Sequence, residues 1–250
     1  MKIAIPVIAK TLDGALFDMD CAAEEADIVE LRIDFMKDVN LQRLVDHASY
    51  PLIVTNRTSK EGGMFEGPEK ERIAALQMAI ELGAEYVDIE SDYFYDLKRG
   101  STKLIVSKHN FNETPDLYTL HGEIIQKKPD IIKIATKAND YSDCMRMLKI
   151  INNVNRQIIG VCMGEAGPVT KEELKETEEM LNEMGHEKVA QRVHLLEEMN
   201  LGYAGLSRVL GPVCGSYLTF ASLGQGKASA PGQISVEELK KAWDVLRVER

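Results

Sequence analysis

Eight short runs rich in isoleucine, valine and leucine recur along the chain, with longer amphipathic stretches between them. The runs are KIAIPVIA at 2–9, DIVELRI at 27–33, PLIVTN at 51–56, EYVDIE at 85–90, KLIVS at 103–107, DIIKIA at 130–135, QIIGVCM at 157–163 and SYLTFA at 216–221. Their apolarity is nearly continuous rather than alternating, as in strands covered on both faces. PEKERIAALQMAIELGA at 68–84 and NDYSDCMRMLKIINNV at 139–154 place apolar residues three and four apart and read as covering helices. Such an order builds a closed (β/α)8 barrel or an open doubly wound sheet. A length of 250 residues favours the barrel, for which about 250 is typical. One TIM barrel domain over 1–250 is therefore expected.

One segment breaks the rhythm. MGEAG at 163–167 and LSRVL at 206–210 are separated by residues 168–205, far more than the few residues of an ordinary connection. Thr170 and Glu173 fit a capping box, Leu174, Leu181 and Met184 share a helical face, and Gly185 is placed to end that helix. Val189, Val193 and Leu196 form the stripe of a second helix. The expectation is a helical-hairpin insertion at 169–203 in the loop after strand 7, leaving from the face where βα loops begin and so near the pocket mouth.

Charge and composition exclude several functions. Forty acidic against thirty basic residues give a formal charge of −10, which argues against nucleic acid and anionic lipid as partners. No run approaches the roughly 18 to 20 apolar residues that cross a bilayer, and no signal peptide is legible at the N-terminus. Cys21, Cys144, Cys162 and Cys214 are scattered without a C-x-x-C pair. Neither a zinc cluster nor a disulfide framework is expected, and a reducing cytoplasm fits.

Polar residues gather at or just after the ends of the runs: Glu30, Arg32, Arg57, Asp88, Glu90, His109, Lys133 and, later, Arg208. In a barrel those ends form the catalytic face. Lys133 lies inside apolar IIKIA, where a charge needs a partner or must lose its proton. A free amine there can form a Schiff base with a ketone, whereas the plainer reading is a strand-end lysine snorkelling to solvent. His109 can exchange protons near neutral pH, although a lone strand-end histidine is more often structural. His47, His121, His186 and His194 read as surface residues without evident partners. Lys108 is a rival amine, but neighbouring strand residues face opposite ways, so it is expected to point away from His109. Glu30 with Arg32, and Asp88 with Glu90, project in pairs; a carboxylate clamp and a structural ion network are both open, and spacing favours the network. LGQGKAS at 223–229 lacks the spacing of either phosphate-binding glycine motif and reads as an ordinary loop.

VELRID, TNRT followed by EGG, YVDIE, SKHNF, IIKIA, MGEAG, LSR and SAPGQIS occur in this order, and together they resemble the type I 3-dehydroquinate dehydratases, (β/α)8 lyases of the shikimate pathway. The resemblance implies Lys133 as the Schiff-base lysine, His109 as the general acid–base and Glu61 as an acidic residue assisting near the substrate. It also implies that Glu30, Arg32 and Arg57 line the site and that Arg208 grips the substrate carboxylate. Ser229 and Gln233 would close over the hydroxyl-bearing side, with Met163 and Phe220 as apolar walls. The implied reaction converts 3-dehydroquinate to 3-dehydroshikimate without metal or nucleotide, and a homodimer is the expected assembly. Lys108 stands where many relatives have tyrosine, and the insertion separates two elements that the family joins closely. A Schiff-base aldolase and a non-catalytic carboxylate-binding barrel are the rival readings.

Overall fold

The computed structural model describes residues 1–165, 167–224 and 226–248. Ala166 of MGEAG and Gln225 of LGQGKAS lie outside the described residues. The strands are β1 (Ile3–Val7), β2 (Ile28–Arg32), β3 (Leu52–Thr55), β4 (Tyr86–Glu90), β5 (Lys103–Asn110), β6 (Ile131–Lys137), β7 (Ile158–Met163) and β8 (Thr219–Phe220). The helices are α1 (Leu12–Glu25), α2 (Leu41–His47), α3 (Glu69–Glu81), α4 (Leu117–Ile125), α5 (Tyr141–Asn153), α6 (Lys171–Glu183), α7 (Glu187–Ala190), α8 (Tyr203–Leu210) and α9 (Val236–Leu246). The strands pair in parallel in the order β7-β6-β5-β4-β3-β2-β1-β8. The Tyr217 N–H donates to the Ile158 carbonyl at 2.7 Å, bringing the approach to β8 back onto β7 and completing the expected TIM barrel. β8 is shorter than the run SYLTFA. Gly215 has φ +104 and the Ser216 hydroxyl donates to the Leu218 carbonyl at 2.8 Å, so the first half of that run is used in turning the chain.

Strand parity positions the site, because alternate side chains point into and out of a barrel. Val29, Leu31, Val54, Val87, Ile89, Val106, Ile132 and Ile134 belong to the large core between strands and helices. The alternate set, including Ala4, Ile28, Ile53, Tyr86, Ile105, Ile131 and Ile159, forms a separate apolar cluster. Two residues beyond that inner cluster on successive strands stand Glu30, Thr55, Asp88, Ser107 and Lys133, all buried. The barrel interior is therefore apolar at one end and polar toward the C-terminal ends of its strands.

After β7 the capping box forms as expected: Thr170 N–H donates to Glu173 Oε2 at 2.8 Å and Glu173 N–H to Thr170 Oγ1 at 3.2 Å. Gly185 ends the helix at φ +84. The expected second helix is instead the short α7 followed by a 3-10 helix over Val193–Met199. Val193, Leu196 and Met199 are spaced by three, the 3-10 period, and all pack into the core. This segment lies along α6 and also touches α9. The Tyr141 hydroxyl of α5 donates to the Glu173 carbonyl at 2.7 Å. Among the described residues no helix is long and apolar enough to cross a membrane.

Candidate active site

A cavity opens at the polar end of the barrel, enclosing about 500 Å³ when the solvent at its mouth is included. Glu30, Arg32, Arg57, Glu61, His109, Lys133, Met163, Arg208, Phe220, Ser229 and Gln233 all line it, with Phe111, Val161 and Ala230 among their neighbours. None of residues 169–203 does, so the helical segment leaves from the expected face but folds away from the cavity wall. Arg208 also departs from expectation. It belongs to α8 rather than to a strand end, and reaches the cavity beside β7, donating from Nη1 to the Cys162 carbonyl at 2.5 Å and the Ala204 carbonyl at 3.2 Å.

Lys133 is 6% exposed, so the snorkelling alternative does not hold. Its Nζ donates to Asp88 Oδ2 at 3.0 Å, lies 3.7 Å from Glu30 Oε1 and stands 4.5 Å from the centre of the Phe220 ring. Phe220 is thus a cation–π face for the amine as well as a wall. Asp88 also meets Arg57 Nη2 at 2.8 Å and accepts from the Ser107 hydroxyl at 2.6 Å. Burial alone would raise the Asp88 pKa, but Arg57, Lys133, His109 and the Ser107 hydrogen bond hold it well below the usual carboxylate range. Glu90 lies 3.4 Å from Arg57 Nη1 and pairs with buried Arg72. The ion network favoured from spacing is present, and it surrounds the lysine. Asp88 is the contact that strand reading did not foresee: VDIE marked it as inward, but its meeting with Lys133 depends on barrel register across β5.

His109 forms the second centre. Its backbone N–H and its Nδ1 both lie 3.0 Å from Glu61 Oε2. An ionised carboxylate only accepts, so Nδ1 carries the proton toward Glu61 and Nε2 is left as the basic nitrogen. Burial lowers the His109 pKa well below its ordinary value, Arg57 and Lys133 lower it further, and Asp88 only partly opposes them. The ring is therefore neutral near pH 7 and able to take a proton. Glu61 is 4% exposed; burial raises its pKa, against the pull of Arg57 and Lys108. The EGG turn holds it there: Gly62 has φ +77, and a Cβ on Gly63 would lie 2.1 Å from the Arg57 carbonyl oxygen. Lys108 does not point away as alternation suggests. Its Nζ lies 3.4 Å from Glu61 Oε1 and pairs with Asp92 on its other side. The remaining histidines lie off the cavity; His47 and His186 do have partners, Asp20 at 2.7 Å and Asn152 at 3.0 Å.

The three cavity arginines differ in their partners. Arg32 is held by Asp34 through two hydrogen bonds of 2.8 and 2.7 Å, and Arg57 by Asp88 and Glu90. Arg208 is 1% exposed, meets only backbone carbonyls, and its Nε has no hydrogen-bond partner among the described residues. Burial lowers its pKa to about 10, which leaves it charged at neutral pH. Gln233 accepts from the Ser229 N–H at 2.7 Å and hydroxyl at 3.2 Å, while its Nε2 is likewise unpartnered. A buried cation lacking a counter-ion beside spare amide donors suits a carboxylate carried by a polar ligand. Among the described residues no group of three His, Cys, Asp or Glu side chains is placed to hold a metal ion.

A family model of type I 3-dehydroquinase matches residues 3–172 and 176–250. The 3-dehydroquinate dehydratase of Methanocaldococcus jannaschii is 34% identical over 255 residues, covering 98% of this chain and 98% of that one. The 3-dehydroquinate dehydratase of Geobacillus kaustophilus HTA426 shares the fold with a TM-score of 0.76 at 22% identity, over 100% of this chain and 92% of that chain. That of Aquifex aeolicus VF5 gives 0.67 at 28% identity over 98% of both. With nearly the whole chain matched, and a relative above 30% identity along its full length, this barrel is an enzyme of the type I 3-dehydroquinase family.

Proposed function

We propose that the protein dehydrates 3-dehydroquinate to 3-dehydroshikimate through a Schiff base on Lys133. The observation that carries this reading is a buried lysine amine, set against Asp88 and Phe220, in the same cavity as a histidine held by Glu61 and an arginine without a carboxylate partner. In the proposed reaction the Lys133 amine adds to the C3 ketone. His109 moves the protons that turn the carbinolamine into an imine, with loss of the ketone oxygen as water. The protonated imine acidifies the adjacent C2 hydrogen, which His109 Nε2 removes, and the electron pair passes into the enamine. Collapse of the enamine expels the C1 hydroxyl, to which His109 returns the proton, and hydrolysis of the imine frees product and lysine. Arg208 binds the substrate carboxylate, Ser229 and Gln233 meet its hydroxyls, and Met163 and Phe220 shape the apolar side.

The reading also takes the enzyme to work in the cytoplasm as a cofactor-independent homodimer, with neither nucleic acid nor membrane as partner. Residues 1–250 form one barrel domain, and 169–203 a helical elaboration of it. The test is borohydride reduction in the presence of 3-dehydroquinate, followed by peptide mass mapping. The expected result is an adduct on Lys133 that Lys133→Ala abolishes together with turnover; an adduct on Lys108 or Lys137 overturns the assignment. Gel filtration is expected to give twice the chain mass.

A further inference from the structure

We propose that Lys108 is a positioning residue for the acid–base pair: its ammonium keeps Glu61 an acceptor, so that the proton of His109 stays on Nδ1 and Nε2 remains free. The inference rests on the proposed role of His109. Its physical basis is the division of labour between the two oxygens of Glu61. Oε2 is occupied by the backbone N–H and Nδ1 of His109, each at 3.0 Å, while Oε1 faces Lys108 Nζ at 3.4 Å. Asp92, on the 3-10 turn that follows β4, holds the same ammonium from the solvent side.

The carboxylate needs such a cation. Glu61 is buried, burial favours its neutral form, and Glu90 nearby adds like charge. A protonated Glu61 would offer an O–H in place of a lone pair. The imidazole could then accept at Nδ1 and carry its proton on Nε2, the wrong tautomer for abstraction. The charged and titratable groups around Glu61 are Arg57 after β3, Glu90 on β4, and Lys108 and His109 on β5. Arg57 exerts the larger pull on Glu61 but is shared with Asp88 and Glu90, whereas Lys108 meets the carboxylate directly. Among the described residues, Lys108 is the lysine or arginine within salt-bridge distance of Glu61. Strand alternation alone would send it outward, and the length of its side chain brings the amine back to the carboxylate.

The test compares pH profiles of kcat for the parent, Lys108→Met and Lys108→Arg. Removing the positive charge raises the proton affinity of the coupled Glu61–His109 pair. The acid limb in Lys108→Met is expected to move up by about one pH unit, the low end for loss of a nearby opposite charge, because Lys108 is 25% exposed. On that limb kcat falls roughly tenfold with KM nearly unchanged, and Lys108→Arg returns the limb to the parent position. Asp92→Asn, at a residue 56% exposed, leaves the Lys108 charge less neutralised and moves the limb down. That variant keeps the proposal falsifiable if Lys108→Met does not fold. A folded Lys108→Met whose profile overlays the parent, a uniform loss of activity with the limb in place, or an upward shift in Asp92→Asn overturns the proposal. Borohydride trapping on the parent separates the two readings: without an adduct on Lys133 the functional reading fails, and with an adduct but an unmoved limb only the role of Lys108 fails.

Discussion

Arg208 is expected to cost the folded protein stability in exchange for ligand binding, and Arg208→Met measures both sides. The guanidinium is 1% exposed, lacks a carboxylate partner and leaves Nε without a hydrogen bond. An unsatisfied buried donor costs about 1–3 kcal/mol, and a buried charge without a counter-ion carries a further desolvation cost. Against this stand the contacts from Nη1 to the Cys162 and Ala204 carbonyls. The Ala204 carbonyl keeps the Ser207 hydroxyl at 2.9 Å, so the main loss is at Cys162. The net expectation is a gain of about 1 kcal/mol, which for a chain of this size raises Tm by roughly 2–4 °C. Loss of a desolvated charge partner costs binding about 2–5 kcal/mol, a KM increase of roughly thirty- to several-thousand-fold. Urea melts at pH 7, with and without 3-dehydroshikimate, read both effects. The ligand at a hundred times the parent's Kd should stabilise the parent by about 2.7 kcal/mol and the variant by less than about 1 kcal/mol. A variant with unchanged m that is less stable than the parent by more than about 1 kcal/mol, or one that keeps the parent KM, would show Arg208 to be a structural residue and refute the argument.

Asp88→Asn removes the carboxylate shared by Arg57 and Lys133; a loss of about 3 kcal/mol is expected from breaking a buried ionic network, and an unchanged urea midpoint would contradict it. His109, whose pKa is lowered in the fold, contributes stability that is present above its unfolded value of about 6.5 and lost as pH falls below it. Glu61, whose pKa is raised, acts in the opposite sense. The His109 contribution is therefore read as the decline in stability from pH 7 to pH 5 that disappears in His109→Gln, and a variant with the parent slope counts against it. Replacing residues 169–203 by a short glycine-containing linker should leave turnover within a fewfold of the parent, since none of them lines the cavity. Stability or solution mass should change instead, and a folded deletion variant that loses turnover by orders of magnitude would assign the segment to the site.

The barrel was legible because buried parallel strands leave a local signature, an apolar run of a particular length: each run overlaps one observed strand, with β5 and β6 continuing past the ends of theirs to Asn110 and Lys137. What local pattern could not show was how the chain turns at two places. In SYLTFA the apolar residues persist through a turn held by Ser216, so hydrophobicity overstated the strand. In 187–199 the apolar spacing suits both an α-helix and a 3-10 helix, and packing against α6 selects the tighter winding. Arg208 lies on α8, and a guanidinium is long enough to enter the barrel mouth from a covering helix.

The site was only half legible, for a related reason. Strand alternation says which residues face inward, and on that basis Glu30, Asp88, Glu90 and Lys133 were all visible. It does not say which of them meet, because those contacts join strands that are not adjacent in sequence: Lys133 of β6 reaches Asp88 of β4 and approaches Glu30 of β2. Once the barrel closes, charges that look costly one at a time become mutually satisfying. Glu30, Asp88 and Glu90 face Lys133, Arg57 and Arg72, so the polar end of the interior is nearly neutral before any ligand enters. In such a balanced setting the informative group is the one left over. Arg208 is that group: it is buried, cationic and answered only by carbonyls, so a carboxylate bound in the cavity would complete its charge pairing.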